Sequence, residues 1–470
     1  MFRTHLIALC CLSLVVGSSL SRSAAAERPN VLFIAVDDLN DWIACLGGHP
    51  QCKTPHIDKL AARGTLFTKA YCAAPACNPS RAALLTGRRP SSSGVYHNSN
   101  PWREAMPDVV TLPQHFQSEY KVFGGGKIFH GRYNDLKSWH QYEARPGDPK
   151  PTQKVQKDPH SRAGGIVFGH LNVDDTEMGD YKIADWAGSV LEQKHDKPLF
   201  LACGFFRPHM PWQVPLKYYD MYPLDSIVLP EVPDDDLNDV PEAGVKVAKP
   251  QGDHANILKT NNWKYAVQAY LASVTFVDGQ VGRLLEFLDN SPYADNTIIV
   301  LWGDHGWHLG EKKHWRKFAL WEEATRAPLI VVAPGVTKPN TRCDRPVDFM
   351  NIYPTLCALC DMPRPEHVEG YDMTPLLKNP SAEWPHFAVT THGRNNHAVR
   401  SERYRLIQYA DGSKELYDHA TDPNEWTNLA ERPEMASTIA RLQEALQPLA
   451  NVPESPRDRR RRNQKKKANK

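Results

Sequence analysis

Apolar residues along this chain fall into two kinds of pattern. Residues 30–36 (NVLFIAV), 198–203 (PLFLAC) and 297–302 (TIIVLW) are short continuous apolar runs. Each gives way to polar residues: Asp37-Asp38 after the first, Arg207-Pro208-His209 shortly after the second, Gly303-Asp304-His305 after the third. Unbroken runs of this length suit strands buried on both faces, which deliver polar groups at their carboxyl ends. Between them the spacing is helical, over 57–64 and over 265–288, where Val274, Val277, Val281 and Leu285 share a face. Strands alternating with helices predict an α/β fold: a large mostly parallel sheet flanked by helices, with ligands beyond the strands' carboxyl ends. From about Asn379 the texture changes. Residues 388–391, 397–400, 404–409 and 415–417 read as short strands and 434–449 as a helix. A main domain over 27–378 and a small α+β C-terminal subdomain over 379–456 are therefore expected.

Composition adjusts this picture at both ends. A chain of 470 residues, 41% hydrophobic, can form one large core and a smaller appendage. Residues 1–26 carry Arg3 and His5, an apolar run over 6–20 and then small residues, the pattern of a signal peptide. A secreted or periplasmic protein is expected after its cleavage. That run is shorter than the ~18–20 residues a spanning helix needs, and no later segment approaches it, so no transmembrane segment is expected. The net charge of +2 conceals a basic end, since residues 457–470 hold nine Lys/Arg and one Asp. This tail reads as solvated and disordered. The body lacks a basic stripe interleaved with aromatics, so nucleic acid is not an expected partner. Ten cysteines, two of them within the signal, are sparse for a disulfide scaffold. Cys357-x-x-Cys360 has no second pair at zinc spacing and sits in a helical pattern, so these are expected to be buried thiols.

The strongest chemical signal is Cys77-Asn78-Pro79-Ser80-Arg81, followed by Thr86-Gly87-Arg88. It resembles, at full match, the C-x-P-S-R-x-x-x-x-T-G signature of the type I, formylglycine-dependent sulfatases. The resemblance extends over nearly the whole mature chain and is strongest to iduronate-2-sulfatase-like members. RPNVLFIAVDDL, TPHIDKLAARGTLFTKAY, GKIFH, RPHMPW, GDHGWHLGE and ELYDHATDPNEWTNLA carry it, in the expected order. It implies an alkaline-phosphatase-like fold, a sulfuric ester hydrolase, and a Cys77 converted to formylglycine by a maturation enzyme. It further implies one Ca²⁺ at Asp37, Asp38, Cys77, Asp304 and His305, with Arg81, Lys127, His130, His209 and Lys317 around the sulfate. A sulfated saccharide is the implied substrate, and Trp102, Arg103, His392 and Arg394 are candidates for sugar contacts.

Elementary chemistry agrees with these implications. Three carboxylates at the ends of different strands repel one another unless a cation neutralises them. An oxygen-rich set favours Ca²⁺ or Mg²⁺, and the flexible coordination of Ca²⁺ suits ligands from distant segments. A serine nucleophile would leave a sulfate ester as inert as the substrate, whereas a hydrated aldehyde keeps a second hydroxyl whose deprotonation expels sulfate. Lys127 follows three glycines, but Ile128 stands where a phosphate loop needs Ser or Thr. His308 and His314 read as structural. Two alternatives stand beside the sulfatase: a phosphoester or phosphonate ester hydrolase of the same superfamily, because both groups are tetrahedral oxyanions, and an inactive glycan-binding relative.

Overall fold

The computed structural model describes residues 28–454, so the expected signal peptide and basic tail lie outside the described residues. Its centre is a sheet of β1 (Asn30–Val36), β2 (Thr65–Phe67), β3 (Lys121–Gly126), β4 (Gln141–Glu143), β5 (Leu199–Phe205), β6 (Thr297–Gly303), β7 (Leu329–Val332) and β8 (Thr341–Cys343). The strand order is β8-β2-β7-β6-β1-β5-β3-β4. β7 runs antiparallel to both neighbours, and every other adjacent pair is parallel.

The unbroken apolar runs follow from two cores. In β1, Leu32, Ile34 and Val36 point into one, and Val31, Phe33 and Ala35 into the other. Fully burying each such side chain contributes roughly 1.5–3 kcal/mol for the larger ones. The helices that build the two cores are α1 (Pro55–Arg63), α2 (Cys77–Thr86), α3 (Gly179–Leu191), α4 (Trp263–Asp289) and α5 (Ile352–Leu359). Apolar residues of α1, α3 and α4 fill the first core, and those of α2 and α5 the second. Asp278 on α4 accepts from the backbone N–H groups of His56 and Ile57, satisfying donors that the first turn of α1 leaves open. All eight described cysteines are free thiols, seven of them buried, including Cys357 and Cys360. No described helix is long and apolar enough to cross a membrane.

The C-terminal part is a separate antiparallel meander of β9 (Ala388–Thr391), β10 (His397–Arg400), β11 (Tyr404–Gln408) and β12 (Lys414–Asp418). Against it packs α6 (Ala436–Gln443), through Leu442. The helix expected over 434–449 is shorter than its pattern. After a 3-10 turn at Glu444–Leu446 it meets Pro448, which disfavours helical backbone in the residue before it. A buried ionic seam joins the meander to the main sheet's loops. Glu322 pairs with Arg405 and with Arg400 (3.4 Å), Glu425 pairs with Arg405 (2.6 Å), and the Trp321 indole donates to Glu415 (2.7 Å).

Candidate active site

Strands β3, β5, β1 and β6 are adjacent and parallel, so whatever follows them gathers at one edge of the sheet. Lys127 follows β3, His209 lies just beyond β5, Asp37 and Asp38 follow β1, and Asp304 and His305 follow β6. Side chains of consecutive residues in a strand point to opposite faces. Asp38 escapes that rule by adopting a left-handed conformation (φ 59°), which Asp tolerates better than most residues. Its backbone is fixed there by its N–H on Asp304 Oδ1 (3.0 Å) and by the Tyr270 hydroxyl on its carbonyl (2.8 Å). Facing this edge is the first turn of α2. Cys77 is its first residue, and Arg81 sits one turn later on the same side.

The polar groups close on Cys77 Sγ, which marks where a formylglycine hydroxyl would stand. Lys317 Nζ lies 3.0 Å from the sulfur, His305 Nε2 3.4 Å, Asp38 Oδ1 3.8 Å and Lys127 Nζ 3.9 Å. His130 also acts on the thiol, favouring its ionised form. Lys317 pairs with Asp38 Oδ1 (2.5 Å), and Lys127 pairs with Asp37. Arg81 lies beneath, wholly buried: Nε donates to Asp304 (2.8 Å), one terminal nitrogen to Asp37 (3.2 Å), and the other to the carbonyls of Ile128 (3.0 Å) and Lys127. Every guanidinium nitrogen is thus used inside the protein. Arg81 thereby ties the Asp37 and Asp304 carboxylates together.

The electrostatics favour negative charge at position 77. Burial pushes the Cys77 thiol up, but Lys127, Lys317 and His305 together hold it well below its usual range. Burial lowers Lys317, yet Asp38 and the sulfur outweigh it and raise the ammonium. Burial drives Asp304 up to about 7 against the pull of Arg81. Asp37, Asp38, Cys77 and His305 each offer one ligand atom, all within 4.8 Å of one another. Asp38 Oδ2 is buried with no hydrogen-bond partner. The His305 Nδ1–H donates to the Gly306 carbonyl (2.9 Å), so Nε2 is the ring nitrogen that faces the cluster and the one a metal ion, on displacing its proton, would use. This set fits a hard divalent cation. Asp304 stands at its margin: Oδ1, 3.5 Å from His305 Nε2, already accepts from Asp38, and Oδ2 from Arg81.

His209 lies at the rim, its side chain 26% exposed, with Nε2 3.9 Å from Asp38 Oδ2. Among the sugar-contact candidates, two belong to the packing. Trp102 is 1% exposed, stacks on Phe129 and donates its indole N–H to Tyr133 O (2.9 Å); Arg103 pairs with Asp135 (2.6 Å). The Trp102 indole N–H and both terminal nitrogens of Arg103 are engaged within the fold, which a Trp-Arg pair read from sequence cannot show. His392 and Arg394 line a cavity next to the centre. Three supports hold these groups, of which the sequence reading missed Ser80 and Tyr270 and took His314 only as structural. Ser80 Oγ donates to the Asp304 carbonyl (2.5 Å), Tyr270 holds Asp38, and His314 Nε2 contacts the Lys317 carbonyl (2.9 Å). Only Ser80 carried a signal, its place inside the C-x-P-S-R motif.

The sulfatase family model matches residues 29–362, and the model of the N-sulphoglucosamine sulphohydrolase C-terminal region matches residues 304–452. The chain is 40% identical over 469 residues to a sulfatase of Formosa agariphila, spanning 95% of this chain and 92% of that one. It is 32% identical over 349 residues to the iduronate 2-sulfatase of Homo sapiens, spanning 68% of this chain and 62% of the human protein. A phosphonate monoester hydrolase from Silicibacter pomeroyi shares the fold, with a TM-score of 0.74 at 22% identity over 89% of this chain and 94% of that one. One architecture thus carries both sulfur and phosphorus chemistry, and the fold alone does not choose between them. Extended sequence identity does, and with the family match over the main sheet it shows that the chain belongs to the sulfatase family of sulfuric ester hydrolases.

Proposed function

We propose that this sulfatase releases sulfate from a sulfated saccharide, using a formylglycine derived from Cys77 and a divalent cation, Ca²⁺, held by Asp37, Asp38, Asp304 and His305. The observation that supports it is the convergence of Asp37, Asp38, His305 and Lys317 on the Cys77 side chain at the carboxyl ends of adjacent strands. The saccharide part draws on the human relative, named for its action on iduronate 2-sulfate. When formed, the hydrated aldehyde supplies a nucleophilic hydroxyl and a second hydroxyl for release. When bound, the cation polarises sulfate oxygens and favours the ionised nucleophile.

The chain's own residues do the rest. Lys317 and Lys127 bring two ammonium groups to the atom that attacks and to the oxygens that accumulate charge, inside a site where water does not screen them. Arg81 holds Asp37 and Asp304 at fixed positions so that neither has to reorganise. His209 Nδ1–H is committed to the Met210 carbonyl (2.6 Å), so Nε2 is the nitrogen that can carry a proton to a leaving sugar oxygen at the rim. His130, which favours the ionised form at position 77, is the candidate to help sulfate depart from the covalent intermediate.

The test pairs chemistry with mass. From a host that has the maturation enzyme, the Cys77 peptide should be lighter than the cysteine form by roughly 18 Da, and nitrophenyl sulfate should be cleaved faster than nitrophenyl phosphate. Cys77→Ala should abolish turnover. An active enzyme with an unmodified Cys77 would end the formylglycine reading, and a preference for phosphate would favour the phosphoester alternative.

A further inference from the structure

Next to the active centre, and sharing none of its residues, lies a cavity of about 740 Å³ between the C-terminal meander and the main sheet's loops. Its distance from the nucleophile can be followed side chain by side chain. Lys317 Nζ, 3.0 Å from Cys77 Sγ, lies 5.9 Å from the centre of the Phe318 ring. That ring is half-buried in the cavity wall, 6.2 Å from the ring of His392, which also lines the cavity. A sugar whose sulfate sits at Cys77 would therefore extend its next residue into this space.

The lining mixes apolar side chains with two cations. Lys249 and Arg394 are both exposed into it, and neither pairs with a carboxylate among the described residues. Lys249 caps the helix Glu242–Ala248 in a left-handed conformation (φ 53°), so its backbone position is defined. Arg394 is anchored by Nε on the Asn451 carbonyl (2.8 Å), and no hydrogen bond engages its terminal nitrogens among the described residues. The turn that carries it is braced by Asn396, whose side chain donates to the His392 carbonyl (3.0 Å) and accepts from the Ala410 N–H (3.0 Å). His392 Nδ1 is buried with no partner. Burial, together with His97, His314 and Lys249, lowers the His392 ring to about 3, so the groups around it are cations or potential cations. Among the described residues the one carboxylate in the lining is Glu454, which is bound to His97 (2.8 Å). A pair of cations beside an aromatic face is the complement of an anionic sugar ring.

We infer that this cavity is the subsite for the sugar residue linked to the one that loses its sulfate, and that Lys249 and Arg394 select a neighbour bearing an oxyanion, either a carboxylate or a second sulfate. This rests on the saccharide reading of the active centre. It extends that reading from one sulfated residue to at least a disaccharide carrying two negative groups.

The experiment compares wild type with a Lys249→Ala/Arg394→Ala double variant on four substrates. These are nitrophenyl sulfate and three sulfated disaccharides whose second residue is neutral, a uronate, or itself sulfated. Thermal melting shows that the variant is folded. The double variant should keep its rate on nitrophenyl sulfate and on the neutral disaccharide. It should lose about tenfold or more in kcat/KM, through KM, on at least one anionic disaccharide. Which of the two suffers identifies carboxylate or sulfate as the group recognised. Equal rates for variant and wild type on both anionic disaccharides, or an equal loss on all three, would overturn the subsite while leaving the saccharide reading intact. A wild type that cleaves nitrophenyl sulfate and no disaccharide would overturn both.

Discussion

Arg81 offers the sharpest test of how this site is held together. Arg81→Met keeps most of the side-chain volume and removes the charge from a position with no solvent exposure. Asp304 then retains only the Asp38 N–H and its neighbour His305, Asp37 retains Lys127, and the carbonyls of Lys127 and Ile128 lose their donor. Breaking a buried pair from one side costs about 3–5 kcal/mol, and the orphaned carbonyls add about 1 kcal/mol. Unfolding a chain of this length releases an entropy of roughly 0.9 kcal/mol/K, so the melting temperature should drop by about 5 °C. A bound cation supplies part of the missing charge and stabilises by mass action. The drop should therefore be larger in chelator than in millimolar Ca²⁺, as followed by calorimetry in both buffers. A shift below about 1 °C in chelator, or one indifferent to Ca²⁺, would refute the idea that Arg81 and the cation share the compensation of these carboxylates.

Two further outcomes are expected. His209→Ala should slow hydrolysis of alkyl and sugar sulfates far more than that of nitrophenyl sulfate, whose leaving group needs no proton; equal losses on both would make His209 a binding residue. Stability should fall as pH drops from about 6.5 toward 4. Burial lowers His254 and His397 to about 4, and His254 Nδ1 accepts the Trp315 indole N–H (3.3 Å), so in the native state both stay neutral where the unfolded chain takes up protons. Melting temperatures across that range check this, and His254→Gln should flatten the slope.

Much of the fold was legible because the central strands are buried on both faces, so 30–36, 198–203 and 297–302 stood out as unbroken apolar runs. β3 was not, because its sequence, KVFGGG, reads as a flexible loop. The structure explains the glycines: a Cβ at Gly124 would strike Trp139, one at Gly125 would strike Trp186, and Gly126 (φ 75°) lies against the Gly204 carbonyl. They let a strand run beneath two indoles, a contact that local sequence cannot reveal. The antiparallel sense of β7 was equally invisible, since strand direction is set by the chain's path and not by composition. At the site, the strand-end carboxylates were readable and Lys317 was reached only through family resemblance. It sits in a segment where Lys312, Lys313, Arg316 and Phe318 all adopt positive φ, a path held by tertiary contacts such as the Lys312–Asp236 pair (2.7 Å) and not by local preference.

The burial of Cys77 sets an order of events. All ten residues of α2 are buried, and the thiol itself has no exposure. An enzyme that oxidises this side chain under the proposed mechanism has to grip the surrounding segment, and in the folded protein none of it is within reach. Maturation and folding therefore compete for the same stretch of chain, and the native sheet closes the window. A molecule that folds first is trapped as a stable thiol form, with every other part of its active site in place. The fraction of active enzyme in any preparation then reports the ratio of two rates, oxidation of an unfolded segment and burial of a helix, and slowing folding raises it.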